Sequence, residues 1–196
     1  MHLFSFGILM VCVCTAWAAD VKPGKPVEVD IGSFANQGDG WTFYGGWEFK
    51  GATGTLVRSG DAGHAAPGAA RLNGDFSAGG FYVGMKVAKL ELPITDFSYW
   101  VKPEGIEKTM GVRLTDEGGQ TFQYTVRLAK GDDWQRVIIQ PGITTAQGHF
   151  GGSNNGVWQG KLSGAMITFS KHDCRKEAIG SCLIDDITVT VTKPKP

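Results

Sequence analysis

The sequence is poor in the signals of helix and of metal. No long window keeps apolar residues at the 3.6-residue spacing of an amphipathic helix, and only 4 histidines and 4 cysteines occur among 196 residues. A helical bundle and an alternating α/β architecture are therefore excluded. Charge of one sign is not in excess: 19 Lys and Arg stand against 19 Asp and Glu. Such a balance gives no electrostatic footprint for nucleic acid or for an acidic membrane surface, and the expected partner is an uncharged molecule. GxSxG and HExxH are both missing. His64 and His172 have no second histidine at ligand spacing, which argues against a transition-metal centre. Adjacent carboxylates do occur, but Asp116-Glu117 and Asp132-Asp133 fall in turns, so a glycosidase pair is not indicated.

The apolar run Leu3 to Val13 is shorter than the ~20 residues of a spanning helix. With Ala16-Trp17-Ala18 behind it, the run reads as a secretory signal over residues 1–18. Export to an extracellular or periplasmic space follows, with one domain over residues 19–192, a short tail over residues 193–196, and no membrane span. Cys174 and Cys182 remain in that domain, and an oxidising compartment favours a disulfide between them.

What the chain does have is 29 glycines and many short alternating runs. Strand candidates include Val27–Ile31, Trp41–Tyr44, Trp47–Phe49, Phe81–Val87, Ile94–Lys102, Met110–Thr115, Thr121–Leu128, Trp134–Gln140, Ala165–Phe169 and Leu183–Val191. Short strands separated by turn signals predict an all-β fold, a two-sheet antiparallel sandwich. The clearest unit is a hairpin from Met110 to Leu128. Because strand side chains alternate, Met110, Val112, Leu114, Phe122, Tyr124, Val126 and Leu128 share a core face, and Arg113, Gln123 and Thr125 share the other. In Phe81–Val87 the predicted core residues are Phe81, Val83, Met85 and Val87, which turns Tyr82 outward. In the Ile94 strand, Phe97, Tyr99 and Val101 point inward and Trp100 outward, unless a bulge reverses it. Trp41, Trp47 and Trp134 are assigned to the core or the sandwich rim.

A sugar offers hydroxyls and flat C–H patches. Its binder needs aromatic plates and planar donors and acceptors such as Arg and Gln. Tyr82, Trp100, Arg113, Gln123 and Thr125 have the parity for one open face of that kind. The simpler alternative for Arg113 and Gln123 is a plain cross-strand pair.

The order of the segments WTFYGGWEF, AARLNGDFSAGGFYVG, ITDFSYWVKPEG, VRLTDEGGQTFQYTV, WQRVIIQPG, HFGGSNNGVWQG and LIDDITVTV resembles the galactose-binding-like jelly rolls that serve as carbohydrate-binding modules, particularly those attached to bacterial β-glucanases. This resemblance implies a concave sheet face that takes a β-glucan-like polysaccharide, bordered by a loop carrying His149, Asn155 and Trp158, although His149 also fits a loop-packing role. It further implies a structural calcium between the first and last strands, for which Glu28, Asp30, Asp185 and Asp186 are the matching positions. The expected protein is a secreted, monomeric, non-catalytic polysaccharide binder. The alternatives are a cell-surface structural or protein-interaction sandwich, or an enzyme such as a polysaccharide lyase assembled from Tyr82, Arg113, Asn155 and His149.

Overall fold

The computed structural model describes residues 25–35, 40–60, 62–176 and 178–192. The signal-like segment 1–18 and the tail 193–196 lie outside them. All strand pairings are antiparallel, and the strands form two six-stranded sheets. In the first sheet β3 (Thr53–Ser59), β4 (Ala69–Asp75), β12 (Ile179–Thr192), β6 (Ile94–Pro103) and β9 (Gln135–Ile139) lie in that order. β1 (Pro26–Gly32) joins the second half of β12, beyond the half that pairs with β4. The second sheet runs β10 (Gly148–Phe150), β8 (Thr121–Arg127), β7 (Thr109–Asp116), β11 (Leu162–Ser170), β5 (Tyr82–Leu92) and β2 (Thr42–Tyr44). Helix among the described residues is limited to the 3-10 turn Lys171–Asp173.

The inner faces of the two sheets meet in one core. Alternation on β7 is strict, with Met110, Val112 and Leu114 wholly buried between half-exposed neighbours. Phe122 and Tyr124 continue that face on β8, and Phe97, Tyr99 and Val101 supply it from the opposite sheet. Each large side chain so enclosed contributes about 1.5–3 kcal/mol of burial energy. The hairpin turn is made by Gly119 at φ 77°. It is closed by Asp116, whose Oδ1 accepts the Gln120 backbone N–H at 2.9 Å.

Some sequence expectations need correction. Trp47-Glu48-Phe49 is a turn, not a strand, with the Phe49 N–H bonded to the Gly46 carbonyl at 2.8 Å. Trp47, assigned to core or rim, is 69% exposed. Phe81 precedes β5 and lies outside against Phe49 and His172, because the strand alternation begins only at Tyr82. The Cys174–Cys182 disulfide is not formed, and both are free thiols. Cys182 is locked mid-strand in the core between Leu72 and Pro103, whereas Cys174 follows the 3-10 turn, where its thiol faces the Ser170 carbonyl at 3.6 Å.

Candidate functional site

The outer face of the second sheet forms a trough of about 440 Å³, lined among others by Tyr44, Glu48, Lys86, Arg113, Phe150 and Met166. Strand register explains the floor. One row across the sheet reads Thr42, Lys86, Met166, Arg113 and Gln123. The next reads Ala88, Gly164, Thr115, Thr121 and Phe150, small residues ending in a half-exposed ring. The small row deepens the floor beside the long side chains of the first.

Tyr44, Tyr82 and the 46–49 turn build the opposite wall. Gly46 sits at φ 59°, and a Cβ there would lie 2.5 Å from the Tyr82 carbonyl oxygen, so only glycine lets the turn fold down onto β5. Glu48 is thereby brought over the sheet. Its carboxylate accepts the Tyr44 hydroxyl at 3.0 Å and the Tyr82 hydroxyl. Arg113 lies beneath: its Nε donates to Gln123 Oε1 at 3.0 Å and its Nη1 to the Tyr82 hydroxyl at 2.8 Å. The guanidinium also stands 4.7 Å from the Tyr82 ring centre and 3.9 Å from Glu48. Tyr44 stacks on Tyr82 with centroids 6.1 Å apart, and Lys86 Nζ lies 4.8 Å from the Tyr44 ring centre.

These contacts set the proton affinities. Desolvation, then the hydrogen bond to Glu48, pushes the Tyr82 phenol well above its ordinary range, only partly offset by Arg113. Partial desolvation works to raise Glu48 as well. Hydrogen bonds from Tyr82, from its own backbone and from Tyr44, with Arg113 nearby, outweigh it and hold the carboxyl below its usual value.

Of the residues singled out from sequence, Arg113, Gln123 and Thr125 do share the outer face of the second sheet. Tyr82 shares it too, but it is only 5% exposed and serves as the buried wall, not as the plate a ligand meets. Trp100 lies on the first sheet, on the other side of the molecule, with the His64 ring stacked on it at 3.7 Å. It is outward-facing as expected but does not belong to this face. The 154–160 loop is held by Gln120, whose side chain donates to the Val157 carbonyl at 3.0 Å and accepts the Gly156 N–H at 2.9 Å. Within it Asn155 accepts the Val157 N–H at 2.9 Å, and Trp158 packs on Phe122 at 5.5 Å. His149 is paired in register with the core-facing Phe122 and bonds to Asn154 at 2.8 Å. These residues brace the end of the sandwich, and the neighbouring Phe150 is the one that reaches the trough. Tyr44, Glu48, Lys86 and Phe150 were missed; Phe150 enters through the pairing of β10 with β8, which no local signal in the sequence shows, whereas the outward parity of Lys86 follows from the core positions Met85 and Val87.

The four acidic residues implied for calcium are occupied by protein donors. Glu28 accepts from Arg136 at 3.0 Å and Asp30 from the Gly32 N–H at 2.8 Å. Asp185 accepts the N–H groups of His64 and Asp186 at 2.7 and 2.8 Å, and Asp186 pairs with the His64 ring at 2.8 Å. Among the described residues no group of three or more His, Cys, Asp or Glu is arranged to hold a metal. Glu28, Asp30 and Asp186 nevertheless line one pocket, with Arg136 among them.

The class of fold is thus an antiparallel two-sheet β-sandwich with an open polar face. Among solved structures, the chain is similar to the family 11 carbohydrate-binding module of a cellulosomal cellulase from Clostridium thermocellum, with a TM-score of 0.61 and 12% identity over 87% of this chain and 97% of that one. A family 11 module from Clostridium thermocellum in complex with a beta-1,3-1,4-mixed-linked tetrasaccharide gives a TM-score of 0.54 at 14% identity, covering 84% of this chain and 94% of that one. An agarase gives 0.52 at 9% identity, with 86% of this chain matched to 25% of the enzyme. No family model matches the sequence, and no curated protein matches it significantly.

Proposed function

We propose that the trough binds a polysaccharide chain without cleaving it, as a secreted monomeric module. The observation that carries this reading is a trough lined by two aromatic rings, Tyr44 on one wall and Phe150 on the other, with a floor of fixed donors and acceptors. A sugar presents both surfaces that such a trough complements. The likeness to a module in complex with a mixed-linked tetrasaccharide makes β-glucan the first ligand to try. Cleavage is disfavoured by the lining, where Glu48 is the one carboxylate and a glycosidase uses two. Tyr82, its phenol raised and tied to Glu48 and Arg113, is a poor base for a lyase.

The test is affinity electrophoresis in gels containing mixed-linkage β-glucan or other soluble polysaccharides. Tyr44→Ala and Phe150→Ala are expected each to weaken retention about 3- to 10-fold, the equivalent of a ring-stacking contact of roughly 0.5–1.5 kcal/mol. Thermal stability should stay close to that of the parent, since neither ring is buried. Unchanged retention in variants that keep their melting temperature would overturn the assignment of the trough. The exposed rings Trp47, Phe49 and Phe81 at one edge favour the second reading, a protein-interaction sandwich. A blank polysaccharide panel with a protein partner retained through those rings would support it instead.

A further inference from the structure

The overall charge of zero does not hold within the trough. On the first sheet, alternation turns charges of both signs outward, Glu28, Asp30 and Asp96 with Asp186 beside them, and Arg71, Lys102 and Arg136 among them, Arg136 paired with Glu28. On the second sheet the outward-facing charges are Lys86, Arg113 and Arg127. Its strand carboxylates are elsewhere: Asp116 is wholly buried, and Glu91 lies past the backbone irregularity at Lys89 (φ 62°). The trough lining holds Lys86 and Arg113 against Glu48 alone, which leaves one positive charge in excess. Glu48 is already engaged by two phenols and stands close to Arg113. Lys86 takes part in none of the ion pairs among the described residues; its ammonium lies over the Tyr44 ring.

We infer that the trough is built for an anionic polysaccharide, one bearing carboxylate or sulfate groups, with Lys86 as the residue that reads the charge. Tyr44 and Lys86 line the same trough with Lys86 Nζ 4.8 Å from the Tyr44 ring centre, so a sugar held against that wall has its substituents within reach of the ammonium. Arg113 is less available for that part, because its fork is spent on Gln123 and Tyr82. This inference rests on the glycan-binding reading and narrows it, departing from the uncharged partner that the composition suggested.

The experiment compares retention of the intact protein in gels of polygalacturonate, of carrageenan and of mixed-linkage β-glucan, at low and at moderate salt. Preference for either acidic polymer by several-fold, lost as salt screens it, is expected; the two acidic arms separate carboxylate from sulfate. Lys86→Gln should weaken the acidic polymer several-fold more than β-glucan, and Lys86→Arg should restore it. Tyr44→Ala should lose the acidic polymer as well. Equal or stronger retention of β-glucan, insensitive to salt, would overturn the inference while leaving the glycan-binding reading standing. So would acidic retention that survives Tyr44→Ala, since it would then lie outside the trough. Retention of no polysaccharide at all would sink both.

Discussion

Tyr99 is the bulkiest of the wholly enclosed side chains, and its hydroxyl has no hydrogen-bond partner among the described residues. Strand parity read from the sequence correctly turned it inward with Phe97 and Val101, but parity says which way a ring points and nothing of what meets its far end. A buried hydroxyl without a partner costs about 1–3 kcal/mol. Tyr99→Phe removes that group and keeps the ring, so we expect stability to hold or to rise by roughly 1 kcal/mol in a denaturant melt. A loss of more than that would mean the hydroxyl is satisfied. Trp47 is the opposite case. Its apolar neighbours suggested the interior, yet a tryptophan in a turn is fixed by where the turn projects, which no alternation pattern encodes.

At the scale of elements, hairpins were the legible part. The β7–β8 pair fell where alternation and the Asp116–Gly119 turn put it, because both signals are local. Trp47-Glu48-Phe49 imitates the same alternation, and only the steric demand of Gly46 against β5 shows it to be a turn. That turn is fastened to the sheet by Glu48, whose pKa lies below its unfolded value. A lowered carboxylate contributes at neutral pH and loses that contribution as pH falls through the folded pKa. Apparent affinity for the best polysaccharide should therefore hold through the ordinary glutamate range and decline only on its acid side. Glu48→Gln, which keeps hydrogen-bonding capacity but not charge, should be weaker at neutral pH and flat across that range. A wild-type profile that stays level down to the acid unfolding transition would dissociate the fastening from binding. The acidic residues of the first and last strands show the converse limit: the sequence showed their positions but not the His64 loop that bonds to Asp185 and Asp186.

For the whole molecule, the all-β sandwich followed from short alternating runs, whereas the assignment of each run to a sheet did not. Trp100 and Arg113 have the same outward sense and lie on opposite sides because β6 and β7, though consecutive, belong to different sheets. The same fold makes a disulfide unnecessary, since the core spans both sheets without one. Reductant is accordingly expected to leave the melting temperature unchanged. A drop of several degrees would reveal a cross-link worth the usual 2–4 kcal/mol.

β12 is the last of the described strands, yet it occupies the middle of the first sheet, with β4, β1 and β6 all hydrogen-bonded to it. Until it has been synthesised, β1 has no strand to pair with, and the β3–β4 hairpin and the β6–β9 pair have nothing to join them. The nascent polypeptide is thus kept from closing this sheet until β12 itself has been made, so the first half of the chain waits on a late segment for its partner.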